Sequence, residues 1–185
     1  MNGNPLGGIS ERAWTNDFEG RFSETESLQQ QFKRIIDDLK KHPFWNVDTN
    51  ASVNVNIDEN SKTWASSITN LYNIFIHKIQ TNKIKQILTS EFNEKETDLK
   101  DYGSIKLLKC LLKDKNLNAS ILDVLDEIRN IRNACDAHQN QSEQTKIIDE
   151  IKIKHSSLQA HYKNLLERLI QTIIELQNIL PKSQD

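Results

Sequence analysis

From Ile148 to Ile179 the chain repeats one spacing: Ile148, Ile151, His155, Leu158, Tyr162, Leu165, Leu169, Thr172, Leu176 and Ile179 follow one another by alternating steps of three and four. Only a helix brings positions so spaced onto one side. His155 and Thr172 interrupt the seam and Pro181 closes it. Counted from Asn140-Gln-Ser-Glu143, which has the spacing of a capping box, the pattern covers almost forty residues. A straight helix of that span would measure roughly 55 Å at ~1.5 Å per residue. One small domain cannot bury such a length. The reading is therefore a long C-terminal helix that breaks near residues 154–157 or shares its seam with another chain.

The remainder is also helical in pattern. Five Gly and three Pro among 185 residues, with Leu, Ile, Lys, Glu, Gln and Asn abundant, favour helices over sheets. Ser23-Glu-Thr-Glu26 has capping-box spacing, and Leu28, Phe32, Ile35, Ile36 and Leu39 then form a stripe that His42-Pro43 stops. Trp64, Ile68, Leu71, Tyr72, Phe75 and Ile79 mark a second helix that runs on through Ile84, Ile87 and Leu88. Gly103-Ser104 opens a third, carrying Ile105, Leu108, Leu111 and Leu112 and ending near Asp114; a fourth begins around Asn118–Ser120. Val53, Val55 and Ile57 alternate with Asn as a strand does, but no second strand is at hand to pair with them. Residues 46–60 are read as an ordered loop or a lone extended segment. The prediction is an all-α antiparallel helical bundle of about five helices spanning 23–181. It is preceded by a mobile N-terminal segment, 1–22, in which Trp14, Phe18 and Phe22 keep helical spacing.

Charge and motif content remove several function classes. A formal charge of −2 supplies no basic field, so nucleic-acid binding has to come from a local patch. Cys110 and Cys135 sit among apolar neighbours and read as small buried thiols of a reducing compartment. No apolar run approaches ~20 residues and no signal-peptide core is present, which predicts a soluble, cytoplasmic protein without a membrane partner. No Gly-rich phosphate loop, Cys-x-x-Cys, His-Glu-x-x-His or nucleophile elbow occurs. P-loop hydrolysis, zinc chemistry and serine hydrolysis have no support, and neither metal nor cofactor is expected.

The chemistry-bearing stretch is Glu127-Ile-Arg-Asn-Ile-Arg-Asn-Ala-Cys-Asp-Ala-His138. At 100° per residue Arg132 and His138 fall toward opposite sides of the apolar arc formed by Ile121, Val124, Leu125, Ile128, Ile131 and Cys135. A cationic side chain in such an arc needs a partner inside a bundle, or lines a cleft where an anion is handled. Arg132 followed by Asn133, with His138 after five intervening residues, resembles the Arg-x(4–6)-His motif of the HEPN superfamily. Its members are small helical bundles, and many act as metal-independent ribonucleases. The resemblance implies an endoribonuclease of a bacterial toxin–antitoxin or antiviral-defence system, with RNA as substrate, an antitoxin or regulatory protein as a further partner, and two bundles pairing as a homodimer around a composite cleft. Some toxin members carry a tyrosine two residues after the histidine that a partner nucleotidyltransferase modifies; here the position is Asn140, so that regulation is not implied.

Physically, a histidine titrating near ~6.5 can take the proton from a ribose 2′-OH or return one to the leaving 5′-oxygen. An arginine fork can hold the phosphate as its charge grows. His138 and Arg132 would take these roles, with Asn133 bonding phosphate or ribose or orienting its neighbours. Arg129, one turn earlier, is a candidate second phosphate contact. Lys106, Lys109 and Lys113 form a basic stripe that would steer RNA. The competing reading is a non-catalytic helical bundle that binds a protein or nucleic-acid partner, with arginines paired to Asp123, Asp126 or Asp136 and the lysines forming a solvated face. His155 and His161 read as surface or seam residues, and Trp14, Trp45 and Trp64 as core or docking aromatics.

Overall fold

The computed structural model describes residues 27–135 and 141–181. Within them the chain is all-helical: α1 (Leu28–Lys41), α2 (Ser61–Phe75), α3 (Thr81–Glu91), a single turn α4 (Glu96–Leu99), α5 (Ser104–Asp114), a 3-10 turn (Ala119–Leu122), α6 (Asp123–Cys135), α7 (Gln141–His155) and α8 (Leu158–Ile179). The predicted second helix is two. Its stripe stops at Phe75, and Trp45 pairs with Ile79 in an isolated antiparallel bridge that takes residues 76–80 out of helical register. The predicted C-terminal helix is also two, because Ser156 turns to φ 68° and Ser157 caps α8 by accepting from the Ala160 N–H. That turn removes the length argument for a second chain, since α8 buries Leu158, Tyr162, Leu165, Leu169 and Leu176 within its own chain. The first described helix starts at a capping box of Ser27 with Gln30, four residues after the expected one, while the 23–26 spacing, the 1–22 segment and Asn140 lie outside the described residues.

One apolar cluster runs from Phe32 to Leu180. α6 lays Val124, Leu125, Ile128 and Ile131 mainly against α2, with α7 and α8 beside it, and α5 packs on α3. Trp64 and Trp45 are core residues, as expected. Cys110 and Cys135 are half-buried rather than buried, and burial raises both thiols above their ordinary range.

The strand-like segment has no partner strand. Val53, Val55 and Ile57 turn inward and Asn54, Asn56 and Asp58 outward, as alternation demands. Its carbonyls are satisfied by side chains instead: Gln29 donates to Val53 O, Asn70 to Ser52 O, the Tyr162 hydroxyl to Asn54 O and Gln159 to Ile57 O, at 2.8–3.0 Å. The Glu59 carboxylate then accepts from the Leu158 and Gln159 N–H groups at 3.0 Å, closing the start of α8. Burial of the hydroxyl pushes Tyr162 up to about 12. Among the described residues no helix is long and apolar enough to cross a membrane, and no group of three or more His, Cys, Asp or Glu is placed to hold a metal ion.

Candidate functional site

α6 flanks its apolar arc with polar groups on both sides: at 100° per residue Arg129 and Arg132 lie on one flank and Glu127 on the other. Arg132 is half-buried. Its Nη1 donates to the Oδ1 of exposed Asn133 at 3.1 Å, and its guanidinium carbon lies 5.2 Å from the centre of the Tyr72 ring. Asn133 and Arg132 thus bond each other on the surface of α6. His138 lies outside the described residues, and so does its distance from Arg132.

Beside this arginine is an open groove of about 390 Å³. α2 and the turn after it contribute Tyr72 and His77, α5 contributes Gly103, Ser104 and Lys106, and α6 contributes Arg129. The His77 and Tyr72 rings stack, 26° from parallel with centres 6.3 Å apart. Gly103 precedes α5 and gives it no side-chain cap, and nothing lies within 4 Å of where its Cβ would stand, so the groove opens beside a helix N-terminus, the end that favours anions. Sequence reasoning missed His77 because it continued the second helix through Ile79, which made this histidine one more residue on an exposed helical face. The break after Phe75 is what brings it into the groove wall.

The four basic candidates divide. Lys106 and Arg129 share the groove; Lys106 also lies 3.5 Å over the Tyr102 ring. Arg129 is ion-paired to Asp126 at 2.7 Å, and Lys109 meets the same carboxylate, so Lys109 serves this pair rather than the groove lining. Lys113 is exposed in the last turn of α5, ~10 Å along the helix from Lys106 at ~1.5 Å per residue.

On the other flank of α6 a second polar cluster is closed. Trp64 Nε1 donates to His161 Nδ1 at 3.2 Å, so Nδ1 is the acceptor and Nε2 carries the proton that reaches Glu127 Oε1 at 3.1 Å. The second Glu127 oxygen accepts from Arg168 Nη1 at 2.7 Å. Both imidazole nitrogens and both carboxylate oxygens are engaged, and His161 is 1% exposed. Burial pushes the Glu127 carboxyl up, but the hydrogen bonds from His161 and Arg168 and the charge of Arg168 outweigh it and hold the group at about 2. His155 meets the His161 ring edge-on at 5.0 Å, and desolvation together with that neighbour lowers its pKa. The reading of His161 as a seam residue stands, but its partners went unnoticed. The available signal was the seven-residue step from His161 to Arg168, two turns on one face of α8.

Comparison of the chain with protein-family models, with characterised proteins and with solved structures finds no match.

Proposed function

We propose that the protein is a metal-independent endoribonuclease, a HEPN-like antiparallel bundle in which Arg132 holds the scissile phosphate, Asn133 orients Arg132, and His138 moves a proton to or from the reacting oxygens. The observation that carries this reading is the convergence on one open groove of Arg129 and Lys106, with Arg132 against the Tyr72 ring in its wall. Guanidinium forks suit a phosphodiester, and a groove open to water admits a polymer where a closed cavity would not. RNA is the substrate because its 2′-OH supplies the nucleophile. The expectation of a cytoplasmic setting rests on the cysteines and on the lack of a long apolar run or signal core in the sequence, while the pairing of two bundles, an antitoxin or regulatory partner and a role in defence come with the family resemblance.

The purified protein should cut single-stranded RNA in EDTA, leave 2′,3′-cyclic phosphate or 3′-phosphate ends, and spare DNA. His138→Ala and Arg132→Ala should each abolish cleavage without lowering the melting temperature appreciably. Cleavage that survives His138→Ala overturns the mechanism. The rival reading, a non-catalytic bundle that binds a partner, draws on one observation: Asp126 takes up both Arg129 and Lys109, which reduces the positive charge offered to a phosphate. Arginine and histidine variants that melt several degrees lower and never affect RNA would favour it.

A further inference from the structure

A duplex hides the faces of its bases, whereas a single strand can lay one flat on an exposed ring. Resting on the endoribonuclease reading above, we infer that His77 is a stacking platform for one unpaired base of the RNA and that Lys106 holds the phosphate beside it. His77 is exposed in the wall of the open groove, and its ring stacks on Tyr72 of α2. With one face against Tyr72, the imidazole has the other for a base. Lys106 is exposed in the same groove, over the Tyr102 ring. A flat ring and a cation that open on one space of about 390 Å³ match the two unlike parts of a nucleotide, its aromatic base and its anionic phosphate. Arg129 lines the groove too but is ion-paired with Asp126, which leaves the phosphate to Lys106.

The platform is held although it lies between two helices. The His77 N–H donates to Tyr72 O at 2.9 Å, and Ile76 and Ile79 on either side of it are buried in the core. The residues that follow are tied to the loop after α1: Asn46 N–H donates to Lys78 O at 2.9 Å and Gln80 N–H to Phe44 O at 2.8 Å, around the bridge of Trp45 with Ile79. Every base has a π face, so this subsite selects for an unpaired base rather than for a sequence.

Binding of short 2′-O-methyl RNA, which cannot be cut, tests the assignment with three probes: a single strand, its duplex, and an abasic strand of the same length. Wild type should prefer the single strand to the duplex. His77→Ala should lower affinity for the single strand by about 5–100-fold, leave the abasic strand and the melting temperature almost unchanged, and be rescued by His77→Phe, which restores a flat ring. Lys106→Ala should weaken base-bearing and abasic strands alike and reduce the salt dependence by about one phosphate contact. A loss below fivefold in His77→Ala, an equal loss on the abasic strand, failure of His77→Phe to rescue, or a wild-type preference for duplex overturns the platform and leaves the endoribonuclease reading intact. Unchanged binding in Lys106→Ala overturns its phosphate contact. A wild-type protein that neither binds nor cuts RNA overturns both readings.

Discussion

Two polar clusters flank α6, and they differ in saturation. At Glu127, His161, Trp64 and Arg168 the donors and acceptors close on one another, and two members, Trp64 and His161, are buried. At the groove the corresponding groups lie on aromatic rings and face water: His77 on Tyr72, Lys106 on Tyr102. A closed network holds helices together, because removing any member strands a buried partner. Exposed groups that lie on rings, or in a surface ion pair as Arg129 does with Asp126, contribute little to stability and face a ligand that enters the groove. α2 and α6 contribute to both clusters, α2 giving Trp64 to the first and Tyr72 to the second.

That contrast can be broken by measurement. Trp64→Ala empties a fully buried indole site and strands His161 Nδ1, so it should cost about 4 kcal/mol in chemical denaturation. Glu127→Ala leaves His161 and Arg168 without their acceptor and should cost about 2–3 kcal/mol. Both variants, where still folded, should keep whatever RNA activity the wild type has. Acid should find the same network. Glu127 titrates near 2 in the folded chain against an ordinary 4.5, so it adds stability above pH 4.5 that is lost as pH falls from there toward 2. With the carboxylate 26% exposed, that loss should be about 1–2 kcal/mol and should vanish from the pH profile of Glu127→Gln. Arg132→Ala should shift stability by less than about 1 kcal/mol. A cost equal to that of Glu127→Ala would make the groove a second structural cluster and erase the distinction. The smallest effect is expected from Asp126→Asn, which frees Arg129 and Lys109 from their shared carboxylate: RNA affinity should rise by about 2–5-fold at low salt, with stability changed by ~0.5 kcal/mol. Weaker RNA binding in that variant would show Asp126 to be positioning the cations rather than competing for them.

Periodicity made the helices legible. Most stripe residues in α1, α5, α6 and α8 are buried, with Leu28, Ile121, Cys135 and Ile179 half-buried at the ends of their stripes, and even the break at 154–157 could be read, because a helix that long has nothing to pack against. Legibility failed where a stripe continued through a turn: Ile79 keeps helical spacing with Phe75, yet pairs with Trp45 across a distant loop. His77 was lost with it. The same limit hid the Glu127 network, whose members come from three helices; His161 and Arg168 share a two-turn spacing in α8, but only tertiary packing brings residues 64, 127 and 161 together. Of the residues named from the sequence, Arg129 and Lys106 line the groove and Arg132, bonded to Asn133, lies against the Tyr72 ring in its wall, while the groove itself left no trace in the spacing.

The extended segment before α2 bears on the order in which the chain assembles. Its bonds to Tyr162 and Gln159 join residues 108 and 102 apart in the sequence, and the Glu59 contacts span 99 and 100. Closing loops of that size costs chain entropy, and a few side-chain bonds offset less of it than the apolar faces of α1 and α2 do against α8, so the segment is expected to dock last. A segment fastened late in folding is released early in unfolding, as a clasp is. Substitutions in it, such as Glu59→Ala, then act mainly on the unfolding rate and leave the folding rate almost unchanged, which places the protein's lifetime, rather than its speed of formation, in the hands of its least regular stretch.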